Sequence, residues 1–367
     1  MKAIHCINCH LQYPDTEIPY HCPRCSGLFD FNSSWVFDPS QVDAAQPGIW
    51  RYRHTFGLPG EAPVVSLGEG RTPLIWGQAF GHHVAFKCEY LNPSGSFKDR
   101  GSATLLSFIR SRGIETAVED SSGNAGASFA AYAARAGLKA KVYIPDSASG
   151  PKRQQIKAYG AEVVRIMGPR SNAAEAVRRV ADRGAIYASH AYLPFNLPGY
   201  ATIAYEIVEQ LDAAPGTLIT PVGQGGLLLG VARGFEALLQ AGVILKMPKL
   251  IGVQARACAP LWAFYHYGPT GLGWSAEGQT LAEGIRVSHP LRGDAVMSIM
   301  TAHQGMFLAV DEQDILPGRE VLAHLGLYVE PTSAVIWSAL EQAADRLVDP
   351  VVVILTGSGL KWIGSIN

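Results

Sequence analysis

Short apolar runs alternate along this chain with longer stretches in which apolar positions recur every three or four residues. Runs of the first kind occupy 84–89, 115–119, 140–144, 162–166, 185–188, 217–221, 249–253 and 350–355, and they read as buried strands. Stretches of the second kind, among them 97–111, 125–136, 151–159, 172–183, 200–211 and 226–240, read as amphipathic helices. Strand alternating with helix predicts parallel sheets covered on both faces, the α/β class. In such sheets ligands bind beyond the carboxyl ends of the strands, so the strand-to-helix loops are where chemistry is expected. The pattern breaks down over 30–70, where Pro39, Pro47, Pro59 and Pro63 stand among scattered aromatics, and this stretch reads as an extended connector.

Composition narrows the class without choosing a function. Of 367 residues, 48% are hydrophobic and 17% charged, which excludes wholesale disorder and leaves material for more than one domain. Lys plus Arg number 30 against 31 Asp plus Glu. So even a balance argues against a nucleic-acid or membrane-surface partner, both of which need a local basic excess. No run is long enough to span a bilayer and no signal core opens the chain. A cytoplasmic protein acting on small molecules is the expectation.

Four of the six cysteines lie in the first 25 residues, as Cys6-x2-Cys9 and, twelve residues on, Cys22-x2-Cys25. Each pair offers two thiolates from one tight turn, and two facing turns complete a tetrahedral Zn²⁺ site. The expectation is a zinc ribbon over 1–34, structural because four cysteine ligands leave no open position. A redox C-x-x-C needs no second copy. Cys88 and Cys258 stand alone and read as core residues.

Four loops are rich in glycine and small polar residues: 92–101, 120–126, 221–226 and 356–359. In Pro221-Val222-Gly223-Gln224-Gly225-Gly226, a strand ends and an apolar helix beginning with Leu227 opens. Backbone N–H groups at such a helix start suit a phosphate, and no Walker lysine follows to suggest a nucleoside triphosphate. In Asn92-Pro93-Ser94-Gly95-Ser96-Phe97-Lys98-Asp99-Arg100-Gly101, Lys98 falls in the first turn of a helix, where the dipole disfavours a cation. A neutral amine is what carbonyl chemistry requires. By itself Lys98 is equally well a surface lysine.

The segment 92–101 resembles the lysine motif of the fold-type II pyridoxal-phosphate enzymes, the group of threonine synthase, the serine/threonine dehydratases and cysteine synthase. Asp120-Ser121-Ser122-Gly123-Asn124 resembles the group's substrate loop, 221–226 its phosphate loop, and Thr356-Gly357-Ser358-Gly359-Leu360-Lys361 its C-terminal cofactor motif. The landmarks run in the group's order from about residue 68 to the end. Glu69-Gly70-Arg71-Thr72-Pro73-Leu74, the form Phe97-Lys98-Asp99-Arg100-Gly101, and Gly284-Ile285-Arg286 resemble threonine synthase most. Trp362 and Ala125 depart from its pattern, and 189–202 is as similar to a dehydratase.

This resemblance implies two parallel-sheet domains of the tryptophan synthase β type plus the ribbon, with a large domain from 35–90 and 200–367 and a smaller one inserted at 91–199. It implies pyridoxal 5'-phosphate carried by Lys98, which is also the catalytic base. Asn124, the loop from Gly223 through Gln224, Gly225 and Gly226 to Leu227, and Thr356 are implied to hold the cofactor. Ser121, Ser122, Gly123 and Asn124 are implied to hold the substrate, a small amino acid. The implied activity is that of a lyase of amino-acid biosynthesis: threonine synthase, or else a dehydratase or other β-elimination or β-replacement enzyme, in a chain that is often a homodimer. A binding module without turnover, its ribbon contacting a partner, is the reading from another class. Arg100, Lys152, Arg153, Arg178 and Arg286 are candidates to meet a leaving phosphate.

Overall fold

The computed structural model describes residues 4–147, 150–273, 275 and 278–362. Its strands in chain order are β1 (Ile4–Cys6), β2 (Phe29–Phe31), β3 (Leu74–Ala79), β4 (His82–Lys87), β5 (Thr116–Glu119), β6 (Lys139–Pro145), β7 (Glu162–Ile166), β8 (Thr217–Pro221), β9 (Lys249–Ala255), β10 (Met306–Val310) and β11 (Val351–Ile354). The helices are α1 (Lys98–Ser111), α2 (Asn124–Arg135), α3 (Pro151–Ala158), α4 (Arg170–Ala181), α5 (Leu197–Leu211), α6 (Gly226–Gln240), α7 (Pro260–Tyr267), α8 (Pro269–Leu272), α9 (Gly293–Ala302), α10 (Glu312–His324) and α11 (Pro331–Ala343). The chain folds as two compact units. One takes in residues up to Gly70 together with Asn92–Gly199, and the other Arg71–Leu91 with Tyr200–Trp362.

The first unit holds a three-stranded parallel sheet, β5-β6-β7, with α1 to α4. The strand expected at 185–188 is reduced to a single parallel bridge between Val118 and Tyr187, because the chain turns away at Ser189. The ribbon strands β1 and β2 pair antiparallel, and the ribbon packs its aromatics inward. Tyr13 is 1% exposed and meets Phe29, Phe108 and Phe195 edge-on at ring centroid distances of 4.7, 6.2 and 5.2 Å. Tyr20 meets Tyr187 and Tyr192 at 5.3 and 5.2 Å.

The connector over 30–70 is more than extended chain. Gly48–Thr55 forms tight helical turns whose Ile49, Trp50 and Tyr52 are buried. Trp50 Nε1 donates to Glu69 Oε1 at 2.8 Å, and Tyr132 Oη donates to Glu69 Oε2 at 2.6 Å. That buried carboxylate ties the connector to α2, a demand that proline count and polarity do not reveal.

The second unit is built on a six-stranded sheet ordered β10-β9-β8-β11-β4-β3. Its pairs are parallel except β3 with β4, where the edge strand returns antiparallel through a tight turn. β8 and β11 are buried at every position, which is why they read as continuous apolar runs instead of alternating ones. The inner face supports one core around Val84, Phe86, Ile219, Val253, Val335 and Val353.

One polar cluster interrupts this core. Lys87, at the end of β4 and fully buried, donates to Glu206 Oε2 at 2.8 Å, Gln210 Oε1 at 2.9 Å and Thr72 O at 2.7 Å. Glu206 Oε1 accepts from the Arg71 N–H at 2.8 Å. The pair thus clips the segment before β3 to α5. Lys87→Met removes the ammonium that pairs with the buried Glu206 carboxylate, and removing one partner of such a pair typically costs about 3–5 kcal/mol. A lowered midpoint of denaturant unfolding is the expected result, and an unchanged midpoint would refute it.

Candidate functional site

Lys98 opens α1, and the turn before it is fastened by the residue that follows. Asp99 is fully buried and accepts from the Ser94 N–H at 2.6 Å and from Ser94 Oγ at 2.5 Å, while Gly95 takes φ +87°. The loop is therefore stapled to the helix one residue past the lysine. Lys98 is half-buried, with its Nζ 4.8 Å from the centre of the Phe97 ring. Burial lowers its amine from the ordinary 10.5 to about 8; Glu119 works against the shift and Arg170 adds to it. The neutral amine expected from the sequence is thus favoured by desolvation first.

The loop between β5 and α2 carries Ser121, Ser122, Gly123 and Asn124. Gly123 is the N-cap of α2 and Asn124 its first residue. Ser121 Oγ accepts from the Gly123 N–H at 3.2 Å, closing the turn. Gly126 permits the close approach: a Cβ there would lie 1.8 Å from the Ser121 carbonyl oxygen. Ser102 of α1 and Ser128 of α2 are hydrogen-bonded at 2.7 Å. Lys98 and Asn124 each stand four residues, about one turn, before that contact on their own helices.

Sequence reasoning missed the acidic end of this loop. Glu119, 1% exposed, accepts from the Ser121 N–H through Oε2 and pairs with His190 Nδ1 through Oε1 at 2.8 Å. Burial pushes its carboxyl up to about 7, against the pull of the Ser121 and Asp120 N–H groups, Arg170 and Lys98. His190 is pushed well below its usual range, first by burial and then by the Lys98 charge. Asp120 accepts from Tyr187 Oη at 2.8 Å and is raised, mainly by burial. Two adjacent carboxylates at the end of a strand were the available signal; their partners, His190 for Glu119 and Tyr187 for Asp120, were not legible. Of the arginines named from sequence, Arg100 is buried in α1. Arg170, at the head of α4 and outside that set, acts on Lys98, Glu119 and His190 alike.

The glycine loop and Thr356 belong to the second unit. β8 ends at Pro221 and α6 begins at Gly226, with Gly225 as N-cap at φ +87°. A Cβ on Gly225 would lie 2.5 Å from Val296 Cγ2, and one on Gly223 3.0 Å from the Gly284 carbonyl oxygen. Bare backbone is required at both, and it leaves N–H groups at the head of a fifteen-residue helix, a donor set that fits a phosphate. The Gln224 side-chain oxygen turns to the protein itself, accepting from the Leu291 N–H at 3.0 Å. Leu227 is buried. Thr356 follows β11, 2% exposed, with Oγ1 2.9 Å from Ser333 Oγ. Ser333, on the first turn of α11, also accepts from the Gly357 N–H at 2.9 Å and so orients the threonine hydroxyl.

The four ribbon thiols converge in the first unit: the Sγ atoms of Cys6, Cys9, Cys22 and Cys25 all lie within 4.8 Å of one another. Four ligands at a Zn–S distance of about 2.3 Å stand roughly 3.8 Å apart, so the cluster has the size of a metal site. Among the described residues, no helix is long and apolar enough to cross a membrane.

Comparison with known proteins gives one family. Residues 65–357 match the family of pyridoxal-phosphate dependent enzymes. A threonine synthase from Methanocaldococcus jannaschii is 31% identical, over 97% of this chain and 92% of its own. One from Synechocystis is 35% identical over 85% and 82%. The crystal structure of a threonine deaminase from T.th. superimposes with a TM-score of 0.69 at 26% identity, covering 80% of this chain and 94% of that one.

Proposed function

The chain belongs to the pyridoxal-phosphate dependent enzymes, in their threonine synthase branch, and on that premise we propose that it converts O-phosphohomoserine and water into threonine and phosphate. The observation that carries the reading is Lys98 at the head of α1, its amine lowered to about 8, in the same unit as the 121–124 turn. Lys98 is assigned to carry the cofactor. The N–H groups of 223–227 are assigned to its phosphate, Asn124 to its ring oxygen and Thr356 to its ring nitrogen. Bound there, pyridoxal phosphate supplies the electron sink for negative charge next to the amino group.

The protein's own residues do the rest. Ser121, Ser122 and Gly123 bind the substrate carboxylate at the head of α2, where donors and dipole favour an anion. Lys98, as a free amine, takes the proton from Cα and then one from Cβ, and returns a proton to Cγ once phosphate has left, so that water adds at Cβ and Cα is reprotonated. Thr356 offers a hydroxyl, not a carboxylate, which leaves the ring nitrogen unprotonated and suits elimination and replacement. Arg170 is assigned to the leaving phosphate. The ribbon cysteines are assigned to one structural Zn²⁺.

The test is product analysis with cofactor-loaded protein. O-phosphohomoserine is expected to give threonine and inorganic phosphate in equal amounts. Ammonia and an oxo acid from serine or threonine, without phosphate release from O-phosphohomoserine, would replace this reading with the dehydratase one.

A further inference from the structure

Glu119 has no role in the assignments above, yet its surroundings are unusually specific. It ends β5, is almost wholly buried, and spends one oxygen on the Ser121 N–H and the other on His190 Nδ1 at 2.8 Å. The first contact fixes the start of the turn that continues through Ser122 and Gly123 to Asn124. The second ties that turn to the segment after Tyr187, whose own hydroxyl holds the neighbouring Asp120 at 2.8 Å. The charged and titratable groups facing Glu119 are Lys98 at the head of α1, Asp120 beside it, Tyr187 and His190 on the following segment, and Arg170 at the head of α4. Lys98 is the one amine among them, and a buried carboxylate near an amine favours its protonated form.

We propose that Glu119 is a positioning residue of the reaction: joined to His190, it fixes the 121–124 turn and supplies the counter-charge to the nitrogen of Lys98 whenever that nitrogen carries a proton. This rests on Lys98 as the cofactor residue. Above the pH at which Glu119 ionises, His190 donates its Nδ1 proton to a carboxylate. Below it the carboxyl donates to the ring, and the counter-charge to Lys98 disappears.

Two variants separate the two duties. Glu119→Gln keeps the length and one acceptor but loses the charge. Glu119→Asp keeps the charge but is one methylene too short to hold Ser121 and His190 together. The first readout is the visible absorbance of the cofactor-loaded protein as a function of pH, which reports protonation at the Lys98 nitrogen and needs no substrate. Its midpoint is expected about one pH unit or more lower in Glu119→Gln, and near the wild-type value in Glu119→Asp. The second readout is turnover, expected to fall about tenfold or more in kcat in Glu119→Asp, with the loaded cofactor retained. A midpoint in Glu119→Gln equal to the wild type's, or no transition in either protein, overturns the counter-charge. Turnover of Glu119→Asp within twofold of wild type overturns the positioning. If Glu119→Gln fails to fold, the Asp variant alone decides the second point and His190→Ala, which removes the other half of the clasp, must then lower kcat as well. A wild type without turnover of O-phosphohomoserine sinks the substrate assignment, while the absorbance titration still judges Glu119.

Discussion

Replacing Lys98 by alanine is expected to reduce turnover by roughly 10³-fold or more, and to leave a soluble, folded protein that no longer holds pyridoxal phosphate covalently. The two halves of this expectation have separate causes. The activity is expected to be lost because the same nitrogen is assigned both to carry the cofactor and to move the Cα proton. The fold is expected to survive because burial already disfavours the charge that is removed: Lys98 stands at the positive end of α1 and its amine is lowered to about 8. The sign can be checked further in cofactor-free protein. The unfolded chain holds the Lys98 proton more tightly than the native one, so the lysine's contribution to stability rises with pH between about 8 and 10.5. Lys98→Ala removes that rise. Turnover, absorbance and unfolding midpoints at several pH values measure all three, and retained turnover in the variant would refute the assignment.

Removing the zinc assigned to the ribbon cysteines is expected to have the largest effect on stability. Structural zinc contributes about 10–16 kcal/mol in isolated finger peptides, an upper bound for a ribbon already leaning on a folded body. What is at stake locally is clear from the contacts. Without the assigned zinc, the turns at 6–9 and 22–25 would lose a shared centre, and with it the support of Tyr13 and Tyr20, which are packed on Phe108, Phe195, Tyr187 and Tyr192. Cys22→Ser, at a buried cysteine of the cluster, is expected to yield protein with less than one zinc per chain and a lower unfolding midpoint. Metal analysis of the wild type should give one zinc per chain; none, with unchanged stability after chelation, would refute the site.

Those expectations rest on features of differing legibility. Most of the parallel strands and the helices between them were readable because burial on both faces writes continuous apolar runs, as in β8 and β11, although β10 at Met306–Val310 was missed. β3 was not, because an edge strand with Ile75 and Trp76 exposed carries no such run. The stretch at 185–188 was apolar enough to suggest a strand, yet it makes only a single bridge to β5, and Tyr187 packs against the ribbon's Tyr20. The residues assigned to the cofactor stand out as motifs because the glycines beside them are backbone requirements, and Gly95 and Gly225 do take the positive φ that such loops demand. Glu119 with His190, and Ser333 with Thr356, were not, since each pair is made by tertiary contact across many residues. Lys87 with Glu206 belongs to the same kind: sequence shows a lysine in an apolar strand, but not the carboxylate that compensates it.

The central claim is that Lys98 carries the cofactor, and the most direct measurement is reduction of the cofactor-loaded protein with borohydride followed by peptide mapping. The pyridoxyl group is predicted on the peptide containing Lys98 and on no other. Its recovery on Lys87, Lys361 or any other lysine, or its absence from every peptide of protein shown to be loaded, would contradict the account.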